Sequence, residues 1–425
     1  EYQVNSIYGT ADFSYKDWLF LNFTGRNDWF STLDPDNNSY FYPSVNLSWM
    51  ISDCLKLPNW ITTAKIRASA ASASNGTEPY QTMLTYTMNN FNVQGQSMGY
   101  INNSSVPNAF LKPVKIKEKE IGANAAFFDN RLGFDFAVYE KKTTDDIVQV
   151  STSSASGFSS AYRNIGKIRN RGLELMVFGV PIATDNFRWN TSLNFSYNKS
   201  KVLYLGEGVE SLTIDGANSR SGNASIQNIV GESYGQIVGY KYKTDDNGNR
   251  VYSSDGLPVR SDDVEILGNG VFKFTGGFHN DISYKNFSLS FLIDFKLGAK
   301  IFSGTNYNLY NTGLHKNTLT GRENGVSVEG VDESGNSFSK TGIDAQTYWK
   351  WIASNNITEE FVYNANFIKL RELSFGYNFS KTFLMNKMPF VKDLRLSVVG
   401  RNLWTIMKDT PNIDPESAYN NTNGQ

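Results

Sequence analysis

Phe367-Ile368-Lys369-Leu370-Arg371-Glu372-Leu373-Ser374-Phe375-Gly376-Tyr377-Asn378-Phe379, followed by Asp393-Leu394-Arg395-Leu396-Ser397-Val398, is the stretch whose pattern decides the fold. Leu373, Phe375, Tyr377 and Phe379 alternate with Glu372, Ser374, Gly376 and Asn378, and Leu394, Leu396 and Val398 alternate with Asp393, Arg395 and Ser397. A repeat of two puts one set on each face of a sheet, one apolar and one polar. Both runs outlast the usual soluble strand of about 5–6 residues and suit a tilted strand crossing a bilayer, which needs roughly 9–11.

The alternation recurs outward from there to both ends of the chain. It predicts strands near 4–15, 17–28, 41–51, 61–73, 116–128, 131–143, 165–180, 187–199, 271–284, 287–298, 363–379 and 392–404. In the cleanest of them Phe187, Trp189, Thr191, Leu193, Phe195 and Tyr197 face one way, and Arg188, Asn190, Ser192, Asn194, Ser196 and Asn198 the other. In water such strands would pair their apolar faces in a sandwich; in lipid they would turn them outward. The connections separate the two cases. Short ones fall at about 16, 53–59, 129–130, 181–186, 285–286 and 380–391, and long ones at 29–40, 74–115, 144–164, 200–270, 299–362 and after Thr405. Strict short–long alternation belongs to an outer-membrane barrel, with short periplasmic turns and long extracellular loops. The expected class is all-β, an antiparallel transmembrane β-barrel wall of about twelve strands.

Composition agrees. Aromatic residues make up 14% of the 425 and charged residues only 19%, against a usual charged share of about 25%. A net charge of −1 leaves no basic excess for phosphates, so nucleic acid is not an expected partner. No apolar run is long enough for a helical span. Cys54 is the single cysteine, which rules out an internal disulfide framework and a CxxC metal or redox motif. No signal peptide opens the chain at Glu1, and an exported chain without one is expected to be a mature product or a fragment.

Nothing in the sequence reads as catalytic, and no cofactor or metal is expected. His279 and His315 lie in different segments, and no nucleophile elbow accompanies them. The acid pairs Asp145-Asp146, Asp245-Asp246, Asp262-Asp263 and Glu359-Glu360 fall in or beside loops, where solvated charge is expected. Residues 245–256 lack the spacing of a calcium-binding loop; Asn247-Gly248 and Asp255-Gly256 read as tight turns. Sequons such as those at Asn22, Asn190 and Asn286 reflect a polar strand face rather than glycosylation. The loop with Tyr348, Trp349 and Trp351 is the most aromatic, and these three are the candidate substrate contacts, by stacking, or else pack the loop on itself. Trp189 and Trp404 fall near opposite ends of apolar faces, as membrane girdles require. Arg169, Arg171, Lys369 and Arg371 share parity with apolar neighbours at the loop ends of their strands. They either face outward towards lipopolysaccharide phosphates or are turned into the lumen by a bulge to pair with carboxylates.

The wording of several stretches resembles the SusC/RagA-type TonB-dependent outer-membrane transporters. They are the opening stretch from Phe367 to Tyr377, Gly400-Arg401-Asn402-Leu403-Trp404, Asn412-Ile413-Asp414-Pro415-Glu416, Tyr42-Pro43-Ser44-Val45-Asn46-Leu47-Ser48-Trp49, Lys65-Ile66-Arg67-Ala68-Ser69 and Ile168-Arg169-Asn170-Arg171-Gly172-Leu173-Glu174-Leu175. Residues 68–75 depart from the expected aromatic-glycine wording. The resemblance implies a barrel of about 22 strands around an N-terminal plug. It implies import of oligosaccharides, peptides or other nutrients, driven by TonB–ExbB–ExbD beneath a SusD-like surface lipoprotein. Residues 1–425 would then be one partial barrel domain, with plug, first strands and closing strand outside it. The competing expectations are a TonB-dependent siderophore or cobalamin receptor and a secreted carbohydrate-binding β-sandwich.

Overall fold

The computed structural model of the protein describes residues 2–417 apart from Asn102, 215–223 and Pro389. Twelve strands form a single antiparallel sheet in unbroken chain order. They are β1 (Val4–Tyr15), β2 (Leu19–Phe30), β3 (Ser39–Met50), β4 (Ile61–Asn75), β5 (Val114–Phe127) and β6 (Leu132–Thr144). Next come β7 (Lys167–Ala183), β8 (Phe187–Tyr204), β9 (Phe274–Tyr284), β10 (Phe287–Leu297), β11 (Phe367–Asn378) and β12 (Arg395–Lys408). Among the described residues four α-helices accompany them: α1 (Ile51–Cys54), α2 (Gly304–Thr312), α3 (Ala345–Ser354) and α4 (Lys381–Lys387). The strand positions agree with the sequence reading to within a few residues. Residues 68–75, whose wording departs from the family, pair with β5 as far as Asn75.

Across the middle of the sheet the register sorts side chains into a polar and an apolar face. One rung across the first eight strands reads Asp12, Asn22, Asn46, Ser69, Glu120, Tyr139, Gly172 and Asn198. The adjacent rung reads Phe13, Leu21, Leu47, Ala68, Ile121, Val138, Leu173 and Tyr197, and continues to Phe274 and Leu297. The polar face is stitched across strands. Asn22 donates to Asp12 at 2.6 Å, Asn46 to Asn22 at 3.1 Å and Arg67 to Glu120 at 3.1 Å, while Arg67 also pairs with Asp135 at 2.8 Å. The apolar face is uncovered: Phe13 is 59% exposed and Val398 72%. Among the described residues no second sheet stacks on it, so the sandwich expectation is not met. A continuous greasy face of this width requires lipid.

Tight turns close most of one end of the sheet, but the β3–β4 and β11–β12 connections there carry α1 and α4 and are longer than the 31–38 loop at the other end, so the strict short–long alternation does not hold at these places. Lys16 and Asp17 both take positive φ in the three-residue connection between Tyr15 and Leu19, a reversal closed by the Trp18 amide donating to the Tyr15 carbonyl at 3.2 Å. Connections at the other end carry structure of their own. The one after β4 holds the hairpin Tyr86–Val93/Gln96–Ile101, and the one after β6 holds Ile147–Ser151 paired with Ser160–Asn164. The loops between β8 and β9 and between β10 and β11 join through a bridge from Val251 to Val331 and share a core of Tyr242, Tyr310, Val328, Tyr348, Ile352 and Phe361. Within this unit Ser303 and Asp344 cap α2 and α3 by accepting from Asn306 and Thr347.

Candidate functional site

A β-bulge decides where the cations of β11 go. Leu292 of β10 faces Glu372, but the next residue, Ile293, faces Leu370, so Arg371 is the extra residue. Beyond it the parity inverts. Lys369 faces Asp294 and lies on the polar face, not on the apolar face that simple alternation gives it. Lys369 is only 5% exposed and binds Asp414 at 2.7 Å and Glu416 at 2.9 Å. Arg371 pairs with Asp294 and Glu416, both at 2.6 Å, and Lys296 reaches Glu416 at 3.2 Å. The chain after β12 therefore folds back over the polar face, held chiefly by one carboxylate among three cations. Burial works to raise the Glu416 carboxyl, but the hydrogen bonds from Arg371, Lys369 and Lys296 outweigh it and hold the group down to about 2. The acids of Asp414-Pro415-Glu416 were the only hint of this in the sequence.

No bulge intervenes between Arg169 and Leu175. Arg169 and Arg171 stay on the apolar face, and Arg171 binds Glu140 at 2.5 Å. Trp189 and Trp404 also lie on that face. Trp189 sits beside the short turn before β8 and donates to Asn280 at 2.9 Å; Trp404 faces Leu370 near the loop end and is 61% exposed.

The candidate aromatics are brought together on α3, mostly as packing. Tyr348 is buried in the loop core, and Trp349 packs edge-on against Tyr310 and donates to the Thr320 carbonyl at 2.9 Å. Trp351 donates to the Pro258 carbonyl at 2.9 Å yet keeps 36% of its surface exposed, so it is the member of the three open to solute. Glu360 is not a solvated acid. It accepts from Tyr310 at 2.6 Å and Tyr242 at 2.8 Å, and burial together with this carboxylate pushes both hydroxyls well up. Burial lowers the neighbouring His315, whose Nδ1 accepts from the Asn317 amide at 3.1 Å. His279 stands on the polar face of β9, its Nε2 3.3 Å from the Ser290 hydroxyl and its Nδ1 3.4 Å from Asp281. Asp245 accepts from the amides of Asn247 and Asn249 at 2.9 and 2.8 Å, and Asp332 builds the same turn with Ser334 and Asn336. These carboxylates are turn-formers.

Sequence reasoning missed a cleft at the loop end of β4–β8. It encloses about 780 Å³ and is lined by Tyr162, Tyr234, Gln149, Asn228, Glu78 and Asp146, among others. Gln149 donates to Tyr162 at 2.6 Å, fixing that ring. Burial pushes the Asp146 carboxyl up, and burial with Asp146 nearby pushes up the Tyr234 hydroxyl. Tyrosine faces, amides and a carboxyl are the groups that bind polar solutes such as sugars or peptides. No spacing signal links these residues, because three separate loops supply them.

A lipid-facing antiparallel wall with one polar face and a structured mouth is the wall of an outer-membrane β-barrel. The family described as TonB dependent receptor-like, beta-barrel, matches residues 1–249. TonB-dependent receptor P3 of Formosa agariphila is 31% identical, over 100% of this chain and 43% of its own. TonB-dependent receptor SusC of Bacteroides thetaiotaomicron is 26% identical, over 88% of this chain and 38% of its own. In fold, a chain from the structure of the RagAB peptide transporter superposes with a TM-score of 0.78 at 21% identity, over 99% of this chain and 46% of that one. The chain belongs to the TonB-dependent receptor β-barrel family, is SusC/RagA-like, and resides in the bacterial outer membrane. It spans less than half the length of the curated relatives it matches.

Proposed function

We propose that this chain forms wall and mouth of an active nutrient importer that carries oligosaccharides or peptides, the solutes its SusC/RagA resemblance implies, peptides being those named for the RagAB transporter. The observation that carries this reading is the unbroken polar face leading up to the mouth cleft between Tyr162 and Tyr234. In this reading TonB–ExbB–ExbD supplies the energy and a SusD-like surface lipoprotein covers the mouth. The remaining strands and a plug come from other parts of a longer protein. Trp189 and Trp404 serve as the two girdle tryptophans, and Trp351 with the cleft tyrosines meets the solute. No catalytic step is assigned to it.

The test is uptake of labelled oligosaccharide and peptide mixtures by cells carrying the full-length protein, with and without TonB. Uptake of one class that disappears without TonB is expected, with about tenfold weaker apparent affinity in Tyr162→Ala/Tyr234→Ala. Uptake that persists without TonB would overturn the reading.

A further inference from the structure

Asp145 and Asp146 are neighbours in the chain with different fates. Asp145 binds Lys115 of β5 at 2.9 Å, whereas Asp146 lines the mouth cleft together with Glu78, Gln149, Tyr162 and Tyr234. The described residues that line this cleft include two carboxylates and no lysine or arginine. Burial pushes the Asp146 carboxyl up, and among the described residues only the Ile147 amide steadies its charge. A partly buried carboxylate without a cation is a group whose charge is left uncompensated, and a solute cation is what would compensate it.

The walls around this carboxyl are held in place. Ile147 and Tyr162 pack on the buried cluster of Phe30, Leu33 and Leu111. The register sets Gln149 directly opposite Tyr162 across a strand pair, and the Gln149 amide donates to the Tyr162 hydroxyl at 2.6 Å. Tyr234 comes from the β8–β9 loop. Its amide donates to Ser200 at 3.0 Å, its carbonyl accepts from Asn269 at 2.8 Å, and its hydroxyl is pushed up by burial and by the Asp146 charge nearby. The enclosed 780 Å³ falls within the ~300–1,000 Å³ at which pockets enclose small solutes. A cation entering here meets carboxylates and tyrosine faces, both of which attract it, while an anion meets two like charges. We infer that Asp146 is the charge-selecting residue of the mouth cleft, so that the solute admitted carries a primary ammonium group on an otherwise neutral body and sulfated or uronate glycans are turned away. The N-terminus of a peptide and the amino group of an amino sugar share this chemistry. The inference rests on the import reading and narrows it to the amine-bearing members of either solute class.

Calorimetric titration of the purified full-length protein in detergent tests it with two matched pairs and an acid. The pairs are trialanine amide against its N-acetylated form and the glucosamine trimer against the N-acetylglucosamine trimer; the acid is the galacturonate trimer. In at least one pair the free amine is expected to bind about tenfold or more tighter than its acetylated partner, and that pair identifies the source of the ammonium. Asp146→Asn, which keeps the shape and removes the charge, should abolish the difference. Equal affinity within both pairs, no binding of either amine, or tighter binding of the galacturonate trimer overturns the inference even if the variant fails to assemble. A variant that assembles and keeps the full preference also overturns it. TonB-dependent uptake without any amine preference would leave the import reading standing and remove this one; an amine preference with uptake that ignores TonB would do the reverse.

Discussion

Glu416 ties the chain after β12 to β10 and β11, and acid should untie it. Its carboxyl is held below the ordinary glutamate value, so the stabilisation is complete above about pH 4.3 and is lost as pH falls towards about 2. Hydrogen exchange of residues 409–417 should accelerate over that window and stay slow at neutral pH. Glu416→Gln should make it faster at neutral pH as well and flatten the pH dependence to the part that Asp414, held down against burial by Lys369, contributes, because Lys369 and Arg371 lose the charge they share. A second residue-scale expectation concerns Gly172. A Cβ there would run into the Tyr197 carbonyl and the Tyr139 hydroxyl, which itself bonds Asn198 at 3.2 Å. Gly172→Ala should lower the thermal midpoint of the full-length protein, whereas Gly9→Ala, at an open position, should leave it unchanged. At this scale the sequence was legible wherever alternation alone sets the side chain, as at Phe13 or Asn22. It left Lys369 open between the lipid and the lumen, since one inserted residue reverses every position beyond it, and the bulge in β11 decides for the lumen.

At the scale of elements, the bulge in β11 and the core of the mouth make separate predictions. Parity inverts at Arg371, so a spin label at position 368 should report lipid-dissolved oxygen and one at position 369 a water-soluble relaxant. Uninterrupted alternation gives the opposite result. In the loop unit Phe361 and Ile352 are almost completely buried. Phe361→Ala should cost the unit about 3–5 kcal/mol. Limited proteolysis should then cut between β8 and β9 and between β10 and β11 while the strands stay protected. The sequence marked these loops only by length and aromatic content. Their helices and shared core escaped it because the apolar residues come from two connections far apart in the chain, and no local period joins Tyr242 to Tyr310 or Ile352. Twelve strands, by contrast, were readable because each carries its whole signal within itself.

At the scale of the molecule, β1 and β12 are the two outer strands of the sheet, each paired on one side only among the described residues. An open edge in hydrocarbon leaves backbone groups unsatisfied at several kcal/mol apiece, more in sum than the usual total stability of about 5–15 kcal/mol. Residues 1–425 expressed alone should therefore give no heat-resistant, compact band on detergent gels, and the full-length protein should give one.

The contrast between the two ends of the sheet also governs how such a protein can change. A single residue added at the Lys16–Asp17 reversal would exchange wet and greasy sides along a whole strand. The β8–β9 and β10–β11 connections, which bring their own hydrophobic interior, can be replaced together without disturbing the wall beneath. New solute preferences are thus free to arise by exchanging the cap as a cassette, while the opposite rim stays locked in length.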